Sequence, residues 1–102
     1  MAKGYWVACV DITDPEGYIS YVAANRAALR AYGGRFLTRG GPMEVPEGTM
    51  RPRIVVIEFP SWQLAKACYH SPEYTAAMVE RQGRSIMDLA IVEGYDGAQP
   101  AD

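Results

Sequence analysis

Tyr5 to Ile12 is apolar on both of its alternating faces: Tyr5, Val7 and Cys9 on one, Trp6, Ala8, Val10 and Ile12 on the other. The run is short and rich in aromatic and β-branched residues, which predicts a strand. A strand with one wet face carries polar residues along that face, and from Tyr5 to Val10 this one carries none. Thr13-Asp14-Pro15-Glu16 then opens a helix. Asp14 accepts from amides that have no helical partner, Pro15 suits the first helical position, and Glu16 complements the helix dipole. Tyr18, Tyr21, Val22, Asn25, Leu29 and Tyr32 follow at the i, i+3, i+4, i+7 spacing of one helical face, with Arg26 and Arg30 off it. Gly33-Gly34 stops the helix, because glycine takes the left-handed conformation at no steric cost.

Arg35 to Arg39 reads as a short strand closed by Gly40-Gly41-Pro42. Residues 42–52, with Pro46, Gly48 and Pro52 as breakers, read as a loop or a ragged hairpin. Ile54 to Phe59 is a third strand, again apolar on both faces apart from Glu58, and Pro60 ends it. Ser61 caps a helix that turns Trp62, Ala65, Cys68 and Tyr69 inward, and the cap-plus-proline pattern returns at Ser71-Pro72-Glu73. Proline disfavours helical geometry at the residue before it, so a break is expected at Ser71. The second segment places Tyr74, Ala77, Met78 and Arg81 on one side. Gln82-Gly83-Arg84 punctuates, Met87 to Tyr95 is a last strand, and 96–102 reads as a flexible polar tail. The expected organisation is one domain over 1–95 followed by that tail.

Strand, helix, strand, strand, helix, strand is the split βαβ order. The fold class is α+β: a ferredoxin-like βαββαβ chain with a four-stranded antiparallel sheet. Strands one and three take its centre, in keeping with their apolar faces. The second carries Arg35 and Arg39 and ends in glycine and proline, the blunting of an edge. Helices cover only one face of such a sheet. The other would leave a large apolar patch in water, which soluble monomers rarely tolerate. A second copy packed sheet against sheet removes the problem, so the expected partner is the chain itself, as a dimeric α+β barrel.

The 102 residues fit one domain. At 11.2 kDa such a chain buries roughly 65% of its unfolded surface, enough for a core but little for a deep enclosed site. A net charge of −2 argues against nucleic-acid and anionic-membrane partners, which need a basic field. Cys9 and Cys68 are too few for a disulfide scaffold and read as unpaired apolar thiols. The first residues hold no signal-peptide core, and no apolar run approaches the length of a membrane span. The expectation is a soluble, cytoplasmic protein.

Three blocks carry a resemblance: Gly33 to Gly41 (GGRFLTRGG), Val55 to Ser61 (VVIEFPS) and Tyr69 to Tyr74 (YHSPEY). Together with Gly4-Tyr5-Trp6 and Val92-Glu93-Gly94-Tyr95, they resemble the uncharacterised bacterial family numbered thirteen-thirty among the domains of unknown function. The resemblance covers about residues 3 to 95. It implies a ferredoxin-like subunit of the dimeric α+β barrel superfamily, where cofactor-free monooxygenases, lactone isomerases and haem enzymes also occur. It implies no reaction, and no site residues carry over.

The polar candidates come from the residues themselves. Glu58 interrupts a buried-looking strand, as an acid or base in a cleft or as half of an ion pair. Arg35, Arg39, Arg51 and Arg53 bracket the middle loop. They suit a carboxylate or phosphate, or else protect the edge while pairing with Glu44 and Glu47. Arg39 stands out because glycines follow it. His70, the only histidine, reads as a general base or a haem or metal ligand, against a backbone hydrogen bond at a helix junction. Nothing at metal-ligand spacing accompanies it, and no motif calls for a cofactor or metal. Asn25 sits in the apolar stripe, aimed into a cleft or bonded under its helix. Tyr18, Tyr21, Tyr32, Tyr69 and Tyr74 at helical spacing are core or interface, with hydroxyls available to a pocket. The favoured reading is a dimeric protein that binds a small molecule between helices and sheet, with Arg39, Glu58, His70, Tyr74 and Asn25 as polar lining and cofactor-independent catalysis as its extension. The alternative is a non-catalytic dimeric structural or interaction module.

Overall fold

A computed structural model describes residues 2–102. The elements run β1 (Gly4–Ile12), α1 (Pro15–Tyr32), β2 (Arg35–Arg39), β3 (Arg53–Phe59), α2 (Trp62–Tyr69), α3 (Pro72–Arg81) and β4 (Ser85–Glu93). The sheet is antiparallel with order β2-β3-β1-β4, so the two strands that are apolar on both faces are the central ones.

The local signals act as expected. The Asp14 carboxylate accepts from the Gly17 amide at 3.1 Å, and Gly33 closes α1 with φ of 78°. Ser61 accepts from Leu64 N, and Ser71 from Tyr74 N, each at 3.1 Å. The break before Pro72 splits the second helical region into α2 and α3. The last strand is displaced toward the N-terminus: it starts at Ser85 and stops at Glu93, where Met87 to Tyr95 was expected. Pairing explains the shift. Ser85 lies opposite Ile12, at the end of β1, and Gly83 at φ 72° turns the chain just before it.

All helices lie on one face of the sheet. Trp6, Ala8 and Val10 of β1 point there, as do Ile57 and Phe59 of β3. Trp6 is the hub, with ring centroids 4.8 Å from Tyr74 and 5.1 Å from Phe59. α2 presses on the start of β1, where a Cβ at Gly4 would fall 2.6 Å from the Ser61 carbonyl. α1 instead packs chiefly on α3, and beneath its middle a gap remains above the sheet.

β2 holds one irregularity. Phe36 pairs with Ile57, and then Thr38 with Val56 and Arg39 with Val55, so the ladder passes over Leu37 as a bulge. In a regular strand Phe36 and Arg39 would face opposite ways. The bulge brings both to the helix side, where the Arg39 guanidinium lies 4.1 Å from the centroid of the Phe36 ring.

The opposite face is uncovered. It presents Val7, Leu37, Ile86 and Val92, all exposed, beside Val56 and Ala90. Residues 41–50 of the loop are exposed throughout, Met43 and Met50 included. No described helix is long and apolar enough to cross a membrane.

Candidate functional site

The gap under α1 is a cleft of about 40 Å³, room for roughly three waters. Its floor is apolar, formed by Trp6, Ala8, Val55, Ile57 and Leu89. Its polar groups come from three elements. α1 sends down Tyr18, Tyr21 and Asn25, residues that share its inward stripe. β2 sends Arg39, which the bulge aims inward, and β3 sends Arg53 from the same parity as Val55 and Ile57. Val22, Asn25, Phe36 and Arg39 also border a surface groove of about 520 Å³ between α1 and β2. These four residues therefore form the mouth.

Three guanidiniums, those of Arg53, Arg81 and Arg39, act on the Tyr18 phenol and pull its pKa down. Burial, reinforced by Tyr21, outweighs them and pushes it up to about 12. Tyr21 and Tyr74 share a buried hydroxyl–hydroxyl hydrogen bond of 2.6 Å, and Arg81 stands over the Tyr21 ring with its Cζ 5.6 Å from the centroid. Burial, then Tyr21, drives the Tyr74 pKa far above its ordinary value, with Arg81 opposing. Tyr18 and Tyr74 therefore keep their protons at physiological pH.

Of the five residues singled out from the sequence, Arg39 and Asn25 meet at this cleft. Tyr74 stands one hydroxyl behind it, through Tyr21. Glu58 and His70 are elsewhere. Glu58 belongs to the parity opposite to Ile57 and Phe59, so it projects from the uncovered face. There it receives Lys3 Nζ at 3.2 Å and the Tyr5 hydroxyl at 3.3 Å. His70 is the exposed residue that closes α2, its amide bonded to the Lys66 carbonyl and its ring set edge-on against Tyr69. Among the described residues no three His, Cys, Asp or Glu side chains gather as a metal would need. Arg51 pairs with Asp88 at 2.9 Å rather than with Glu44 or Glu47. Arg53, grouped from the sequence with the arginines of the edge and loop, lines the cleft, and its alternation with Val55 and Ile57 signals that it faces the helices.

Sheet order, strand pairing and one-sided helices define an α+β protein of ferredoxin-like type. The chain belongs to the family described as Domain of unknown function (DUF1330), whose model matches residues 3–95. Three solved structures share the fold. A protein of unknown function from Rhodopseudomonas palustris is similar at 15% identity and TM-score 0.73, over 94% of this chain and 85% of that one. SnoaB, a cofactor-independent oxygenase from Streptomyces nogalater, is similar at 13% identity and TM-score 0.63, over 98% and 99% of the two chains. A dimeric protein of unknown function and ferredoxin-like fold from Bacteroides fragilis is similar at 17% and 0.51, over 89% and 95%. At such identities the likeness is one of fold. No curated protein matches the sequence.

Proposed function

We propose that the protein is a homodimer, joined through the uncovered sheet faces, whose subunits each take a small molecule into the cleft under α1. The observation that carries the binding role is convergence. Tyr18, Asn25, Arg39 and Arg53 come from three separate elements onto one apolar floor, the usual make-up of a small-molecule site. The dimer draws support from shape. The chain exposes 6643 Å², against about 5,700 Å² for a compact monomer of this mass. Its radius of gyration is 14.5 Å, against about 12.8 Å for such a length. The molecule is flat, 46 × 35 × 16 Å, and one face of its sheet is bare. The fold neighbour from Bacteroides fragilis is itself dimeric.

Two measurements test the proposal. Sedimentation at micromolar concentration should give twice the 11.2 kDa subunit mass, and Val7→Glu should give the monomer; a monomeric wild type overturns the dimer. For the cleft, small aromatic fragments should shift the NMR signals of Trp6, Ala8 and Tyr18. Val22→Trp, a plug at the mouth, should abolish those shifts. Fragments that move only signals of the uncovered face overturn the site.

Catalysis without a cofactor is the stronger form of this reading. Its support is the Tyr18 phenol, which lines the cleft and which burial holds in its protonated form, on a fold shared with the Streptomyces oxygenase. The small cleft volume favours a second reading, a non-catalytic dimeric module. On that reading Arg39→Gln lowers stability or dimerisation and no compound co-purifies by native mass spectrometry.

A further inference from the structure

We infer that the cleft under α1 selects an anion, a compact apolar molecule bearing one carboxylate. The inference rests on the cleft being a binding site and adds the charge of its occupant. The chain as a whole is acidic, with 12 Asp and Glu against 10 Lys and Arg. The cleft reverses that sign: Arg39 and Arg53 line it and no carboxylate does. The two salt bridges among the described residues use Lys3 with Glu58 and Arg51 with Asp88, so the two cleft arginines, like the other six basic side chains, have no acidic partner among those residues.

Arg53 is the sharpest case. Its Nε is buried and has no hydrogen-bond partner. Arg53 as a whole is half-buried, so it is this one donor that lacks an acceptor, and a bound carboxylate would supply it through a charge-assisted hydrogen bond. The chain makes room for this arrangement. Gly40, at φ 69°, lies against the Arg53 guanidinium so closely that any Cβ there would collide with it. Arg39, re-aimed by the bulge, supplies a second guanidinium at the mouth, and Asn25 a carboxamide beside it.

A carboxylate suits the site better than a phosphate. Phosphate sites draw on free amides at a helix N-terminus, whereas α1 lines this cleft with side chains, from Tyr18 to Asn25, and Asp14 already takes the Gly17 and Tyr18 amides. The floor of Trp6, Ala8 and Ile57 takes an apolar body, which extends through the mouth into the groove beside Phe36.

Benzoate, its neutral isostere benzamide, and inorganic phosphate form the test, titrated into the wild-type chain by NMR. Benzoate should shift the signals of Trp6, Ala8 and Tyr18 and bind at least about tenfold tighter than benzamide. Added salt should narrow that ratio. Arg53→Gln and Arg39→Gln should each narrow it too, with retained amide dispersion showing that the variants fold. Equal binding of benzoate and benzamide at the cleft overturns the anion preference and leaves the cleft a binding site. Phosphate binding as tight as benzoate overturns the carboxylate. If neither aromatic probe touches the cleft, the inference falls together with the binding role.

Discussion

The Tyr21–Tyr74 hydroxyl pair sits in the core, where each oxygen depends on the other. Tyr74→Phe strands the Tyr21 hydroxyl and should cost about 1–2 kcal/mol in urea unfolding. Tyr21→Phe combined with Tyr74→Phe should cost less than the two single changes summed, because no polar group is then left unpaired. A pH effect follows from two other buried groups. Tyr18 is pushed from 10.0 up to about 12, and Cys68 from 9.0 up to about 12, burial leading in both. An acid whose folded pKa is raised holds its proton more tightly in the native state, so its contribution is full below the unfolded pKa and is lost as pH climbs through the folded one. Urea midpoints should therefore hold to about pH 9 and fall between pH 9 and 12, and Cys68→Ala should delay the onset to about pH 10. A fall already complete at pH 9 contradicts the assignment. Helical spacing made these tyrosines legible as interior residues. Their pairing was not, since it joins positions 53 residues apart through tertiary packing alone.

Among the elements, the α2–α3 junction is held by one side chain. The Ser71 hydroxyl donates to the Cys68 carbonyl at 2.6 Å and accepts from the Tyr74 amide at 3.1 Å, and the residue is 3% exposed. Ser71→Ala removes both bonds and should lower stability by about 1–2 kcal/mol in denaturant melts; a loss within about 0.5 kcal/mol would mean water replaces the hydroxyl. This junction was readable in advance because caps and prolines act within four residues. The bulge in β2 was not, because Leu37 and Thr38 carry no turn chemistry and the irregularity exists only against β3. Two candidate residues stand apart from the cleft, each for a local reason. Alternation along β3 puts Glu58 on the side away from Ile57 and Phe59. His70 had a backbone role at a helix end as its alternative, and that is where it stands.

At the scale of the molecule, one sheet separates two surfaces of different chemistry. The side under the helices holds the cleft and its unpaired guanidiniums, and the other is apolar and open to a second copy. Leu37 bears on both. The strand pairing shows that the bulge absorbs it: without Leu37, Phe36, Thr38 and Arg39 would keep the partners they have now, in an unbroken ladder. Deleting Leu37 should therefore leave Arg39 over the cleft and ligand binding intact. It would also straighten the outermost strand into a regular row of unpaired donors and acceptors, which is a template for foreign strands. The expected outcome is a chain that binds as before but forms thioflavin-positive aggregate on storage. The extra residue in β2 then acts as a guard against polymerisation.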